Sequence, residues 1–158
     1  MKIKRFVISF VLIILAGCAT IEKQTITPLE IQWLQSREYN ETKEIVFRSI
    51  VSVLQDLGYA IKNADIQTGL ISAESAAISD PISRLFGSSK ITQTMVTAFV
   101  EKIGTKTKAR LSFVESVNMS STYGQTDRRD TPILDARLYE NAFGKIDNAI
   151  FIRSVDLR

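Results

Sequence analysis

Two stretches near the middle of the chain, residues 90–102 and 107–119, alternate polar and apolar side chains on either side of Gly104-Thr105-Lys106. A two-residue period sends successive side chains to opposite faces of a pleated strand, so each stretch reads as a strand with two distinct faces. In the first, Ile91, Met95, Thr97 and Phe99 share one face and Thr92, Thr94, Val96 and Ala98 the other; in the second, Ala109, Leu111, Phe113 and Val117 share a face. A glycine-containing turn between them makes a long antiparallel hairpin. A lone hairpin is marginal in water, so the rest of the chain must supply further strands and a covering layer.

The flanking sequence supplies both. Asn40 can cap a helix over 41–57, with Glu41 and Glu44 in its first turn, an apolar stripe of Val46, Phe47, Ile50, Val53, Leu54 and Leu57, and Gly58 as its stop. Tyr59–Ala64 and Leu70–Ile78 read as two strands around the turn Asp65–Gly69, and Arg37–Tyr39 as a short leading strand. Residues 120–132, rich in Ser, Thr, Asp and Arg, read as an exposed loop ending at Pro132. A second helix begins near Asp135, with Leu138, Tyr139, Ala142, Phe143, Ile146 and Ile150 as its stripe. Gly144 costs that helix about 1 kcal/mol relative to Ala, which close packing against the sheet would explain. At 158 residues and 45% hydrophobic content, one domain over residues 37–158 is expected. Its class is α+β: a two-layer antiparallel sheet of about four strands, with two helices packed on one face.

The amino terminus reads differently. Lys2, Lys4 and Arg5 precede an apolar run of 11 residues, Phe6–Ala16. Crossing a bilayer takes about 20 apolar residues, so residues 1–17 read as an export signal. Leu15-Ala16-Gly17-Cys18 follows, and it resembles the lipobox of bacterial lipoproteins. The resemblance implies cleavage before Cys18 and a diacylglyceryl group on its thiol. It also implies a palmitate-type acyl chain on the new amino terminus; two or more such chains hold a protein stably at a membrane that it does not span. Ala19 in place of Asp is similar to the pattern of outer-membrane lipoproteins, which implies a periplasmic face. Residues 18–36 then form the acylated cysteine and a tether of at most about 60 Å. Within them Leu29, Ile31, Trp33 and Leu34 form an apolar patch, which either packs back on the domain or docks a partner.

The inventory of reactive groups is thin. With no His and one Cys, histidine catalysis, a Cys/His zinc cluster and an internal disulfide are ruled out by composition. No phosphate-cradling glycine motif or Gly-x-Ser-x-Gly elbow occurs. The net charge of +3 belongs to Lys2, Lys4 and Arg5; taking these three from 20 basic residues leaves 17 against 17 acidic ones. A neutral body, whose Arg128-Arg129 pair is flanked by Asp127 and Asp130 in what reads as a solvated turn, does not suit nucleic acid. Glu101 and Glu115 lie on adjacent strands beside lysines and read as a solubilising surface, and Asp56, Asp65 and Asp80 as cap or turn residues. No catalytic residue, metal or cofactor is expected beyond the covalent lipid on Cys18. Residues 79–89 interrupt the strands yet carry Ile82, Leu85 and Phe86, which suits either a flap over a cavity or a loop covering the sheet.

Val53-Leu-Gln-Asp-Leu-Gly-Tyr59, Gly69-Leu-Ile-Ser-Ala73 and the later Leu138-Tyr139, Phe143 and Phe151 resemble the helix-grip domains of the C-subunit lipoprotein of the outer-membrane β-barrel assembly machinery. The resemblance covers roughly residues 37–153. The resemblance implies the fold; the anchor, the compact domain and the missing catalytic set together point to a non-enzymatic periplasmic module that joins an envelope protein partner in assembling or stabilising a complex. The alternative is a binder of an apolar small molecule or lipid between the last helix and the sheet, with residues 79–89 as lid.

Overall fold

A computed structural model describes residues 27–155 apart from 86, 122 and 123, without the side chains of 84 and 85. The leader and the Leu15–Cys18 motif lie outside the described residues. In chain order the elements are α1 (Pro28–Gln35), β1 (Ser36–Tyr39), α2 (Lys43–Asp56), β2 (Ala60–Asp65), β3 (Leu70–Glu74) and β4 (Ile78–Ser79). They continue with α3 (Pro81–Leu85), β5 (Ser88–Ile103), β6 (Lys106–Ser121), β7 (Thr126–Pro132) and α4 (Ala136–Val155).

The expected hairpin is the spine. β5 and β6 have 16 residues each and pair antiparallel from Ser88↔Ser121 to Ile103↔Lys106 without a slip in register. One edge of β6 takes β1 near the Gly104 turn and β7 near the other end; one edge of β5 takes β3 and, further along, β4. β2 pairs outside β3, so the order through the wider half is β1-β6-β5-β3-β2.

The class is α+β, but the expected four-strand, two-helix layout is corrected: the described residues form one seven-stranded antiparallel sheet and four helices. Leu70–Ile78 divides into β3 and β4 at Ser75, whose amide still donates to the Thr94 carbonyl at 2.8 Å while its own carbonyl turns out of the ladder. Its Oγ accepts the Thr94 amide at 2.9 Å and its carbonyl accepts Gln93 Nε2 at 2.9 Å. Residues 126–132, expected as loop, are β7, paired from Val114↔Pro132 to Ser120↔Thr126. Every β7 residue is exposed, so the strand shows no apolar alternation; backbone pairing with the free edge of β6 defines it. Arg128 and Asp130 therefore sit on a strand rather than a turn. Charges and Pro132 along this outermost strand discourage further chains from adding to it. α1 occupies much of the stretch read as tether.

The core lies between one sheet face and the two long helices. α2 contributes Val46, Phe47, Ile50, Val53 and Leu54; α4 contributes Tyr139, Ala142, Phe143, Ile146 and Ile150. From the sheet come Ile71, Ala73, Val96, Ala98, Val100, Ala109, Leu111 and Phe113. Cross-strand pairs match large against small: Val96 with Phe113, Ala98 with Leu111, Val100 with Ala109. The buried face of β5 is thus the one bearing Thr92 and Thr94, while Met95, Thr97 and Phe99 face away from the helices.

Local signals mostly act where expected. The cap of α2 is Thr42 rather than Asn40, its hydroxyl accepting from the Ile45 amide at 3.4 Å. Gly58, at φ 85°, lets the chain leave α2 with its amide on Gln55 O. Gly69 has a stronger requirement: at φ 81°, a Cβ there would lie 2.0 Å from the Val100 carbonyl oxygen. Gly144 does not pack closely, contrary to the expectation for it, since a Cβ at that position would meet nothing within 4 Å.

Candidate docking surface

α1 begins at a capping box. The Glu30 amide donates to Thr27 Oγ1 at 3.3 Å and the Thr27 amide to Glu30 Oε2 at 2.7 Å, with Pro28 in the first turn. These bonds from Thr27, backbone first, hold the Glu30 carboxyl below its usual range. The helix is clamped at its other end. Leu34 packs against the core, and the buried Gln35 donates Nε2 to Tyr139 Oη at 3.3 Å while its Oε1 accepts Arg110 Nη2 at 3.1 Å. Tyr139 Oη also accepts the Phe113 amide at 3.3 Å, so a polar chain runs from the sheet through the core edge to α1.

That clamp leaves Leu29 and Trp33, one turn apart on the same side of α1, 63% and 79% exposed. Trp33 and Gln32 form one wall of a groove of about 390 Å³ whose other residues are Ser36, Arg37, Glu38 and Lys108. Alternation places Ser36, Glu38 and Lys108 on the helix-free face of the sheet. The pairings Ser36↔Arg110, Phe99↔Arg110 and Leu70↔Phe99 extend this face as a row across four strands. Phe99 and Leu70 are partly exposed along it.

β1 is fastened to α4 from the opposite face. Arg37 Nη1 meets Asp147 Oδ2, its guanidinium carbon lies 5.0 Å from the Phe143 ring centroid, and Tyr39 Oη donates to Asp147 Oδ1 at 3.1 Å. Burial, reinforced by the Asp147 charge, pushes the Tyr39 phenol well above its ordinary value.

The other expected contact region is at the far end of the spine. α3 is held to the start of β5 by Ser83, whose Oγ donates to Asp80 O at 2.8 Å and accepts the Lys90 amide at 3.1 Å. Ile82 and Ile78 stand 64% and 70% exposed. The Leu85 side chain and Phe86 lie outside the described residues. Ser88 pairs with Ser121 at this end whereas Glu101 pairs with Lys108 near the other, so roughly 40 Å of strand separates Ile82 from the Trp33 groove. The structure does not bring these candidates together. Nearby, Arg128 Nε donates to Asp130 Oδ1 at 3.0 Å; this bond, then one from the Ser116 hydroxyl, holds the Asp130 carboxyl below its usual range.

The seam between α4 and the sheet is filled by side chains. Tyr139, Phe113 and Phe143 are buried there, the first two edge to face with centroids 5.1 Å apart. Glu101 pairs with Lys108 and Glu115 with Thr94, on opposite sheet faces and well apart along the ladder. Among the described residues no three His, Cys, Asp or Glu side chains gather as metal ligands, and no helix is long and apolar enough to cross a membrane. No protein-family model matches the chain, and no curated protein matches it.

α1 carried a readable signal: Thr27-Pro28-Leu29-Glu30 is a Ser/Thr-x-x-Glu box with Pro at the first helical position. No local signal marks the clamp, because Gln35, Arg110 and Tyr139 meet only through tertiary packing.

Proposed function

We propose that the protein is a lipid-anchored lipoprotein on the periplasmic side of the cell envelope, at the outer membrane. Its domain serves as a non-enzymatic interaction module in the assembly or stabilisation of an envelope complex. The observation that carries this reading is Leu15-Ala16-Gly17-Cys18 directly after an apolar run of 11 residues, with Cys18 the sole cysteine of the chain. The likeness of Val53–Tyr59 and Gly69–Ala73 to the assembly-machinery lipoprotein supports the same setting. Exposed apolar side chains at Ile78 and Ile82 supply docking surface of the kind interaction modules use. The occupied seam beneath α4 favours this reading over an apolar ligand held there.

The anchor is tested by mass spectrometry of the amino-terminal peptide from purified membranes. A Cys18 terminus carrying acyl mass is expected, and Cys18→Ala should retain the leader and lose that mass. An intact leader with a free thiol on the native protein would overturn the reading. For the module, cross-linking in intact cells followed by affinity recovery should yield one discrete envelope protein, absent when Ile82→Asp is used. Recovery of background proteins alone would count against it.

A further inference from the structure

Resting on the lipid-anchor reading, we propose that Leu29 and Trp33, with the adjoining helix-free sheet face at Phe99, Lys108 and Arg110, lie against the lipid surface that holds the anchor. Three observations converge. The clamp through Gln35 fixes α1 so that Leu29 and Trp33 project together, 63% and 79% exposed, instead of folding into the core. Trp33 shares its groove with Lys108 and Glu38, and the Arg110–Phe99 pair continues that face, so exposed aromatic rings sit among side chains of both charges, Lys108 being bracketed across the strands by Glu38 and Glu101. Rings amid polar and charged groups suit the boundary where indole and phenyl meet acyl chains and their surroundings meet headgroups.

The third observation is distance along the chain. Cys18 and Pro28 are ten residues apart, so even a fully extended connection keeps the start of α1 within about 36 Å of an acylated Cys18. A surface confined that near a bilayer meets it at high effective concentration, and a modest patch then suffices to settle on it. No such confinement acts on Ile82, roughly 40 Å further along the spine. The face around Trp33 is therefore the lipid-contacting one, and the α3 end is left for protein.

The chain's sole tryptophan is the reporter. The purified, acylated full-length protein is reconstituted into vesicles of phosphatidylcholine and phosphatidylglycerol, with or without brominated acyl chains. Trp33 emission should shift to the blue and lose most of its intensity on the brominated lipids, and acrylamide should quench it less than it does in detergent. Leu29→Glu, with an unchanged circular dichroism spectrum and unfolding midpoint, should restore most of the emission while the acyl mass on Cys18 stays.

Emission that remains red, acrylamide-sensitive and indifferent to bromine, on protein whose acylation is verified by mass, would overturn this inference alone. In the same vesicles, an indole shielded from acrylamide but untouched by brominated lipid would mean that protein covers it, which also overturns the inference. Absence of acyl mass would instead defeat the anchor reading beneath it.

Discussion

Arg37 and Asp147 meet at 2.6 Å, joining the short first strand to the middle of the last helix. The pair is about two-fifths exposed, so solvent weakens its Coulomb term. Arg37 also lies over the Phe143 ring, a contact that Lys reproduces poorly. Arg37→Ala should lower unfolding stability by about 1 kcal/mol, and Arg37→Lys should recover little of it. Urea titrations of the three proteins check both statements.

Tyr139→Phe removes one oxygen that serves two partners, the Phe113 amide and Gln35 Nε2. Leaving buried donors unpaired should cost ~1–3 kcal/mol. The loss should be largest at the α1 end, read as faster amide exchange over Leu34 and Gln35 than in the parent protein.

The glycines should separate by cause. Gly69→Ala places a Cβ against the Val100 carbonyl as well as at positive φ, and should cost ~3 kcal/mol or more. Gly104→Ala meets only open space at φ 60° and should cost about 1 kcal/mol. Gly144→Ala, in a helix with room for the methyl, should raise stability by ~0.5–1 kcal/mol. Thermal or urea midpoints rank the three.

Stability should fall at both pH extremes. The Asp65 carboxylate accepts the Gln67 amide and the Thr68 hydroxyl, and the Gln67 bond first, then Thr68, lowers its pKa in the fold. A lowered folded value contributes stability above the unfolded one, which is lost as pH drops through the folded value, so the acid limb should begin near pH 4 and flatten in Asp65→Asn. Tyr39 is raised instead, chiefly by burial, so its contribution is complete below the free phenol value of about 10 and disappears as pH climbs beyond it. Tyr39→Phe should flatten the alkaline limb, Tyr59 keeping a remnant because burial raises it too. Urea midpoints across pH test both.

The segments legible in the sequence were those whose side chains report burial. The stripe from Val46 to Leu54 and the alternation through Ala109, Leu111 and Phe113 mark buried faces, and the structure puts those residues in the core. β7 was illegible because none of its side chains is buried, so no apolar alternation reports the backbone pairing that defines it. The division at Ser75 was equally hidden, since it depends on Gln93 and Thr94 from a strand some twenty residues away. At the candidate surface, Trp33 and Ile82 could be picked out as apolar residues in polar surroundings. Their separation required the register of β5 on β6, and the clamp that turns Trp33 outward required Gln35 to find Tyr139 across 104 positions.

The unslipped ladder from Ser88 to Ile103 also leaves the β5–β6 spine without a joint along its length. A pull exerted where α3 meets β5 is carried through stiff backbone to the Gly104 turn, so a load applied at that tip turns the described domain as one lever instead of bending it.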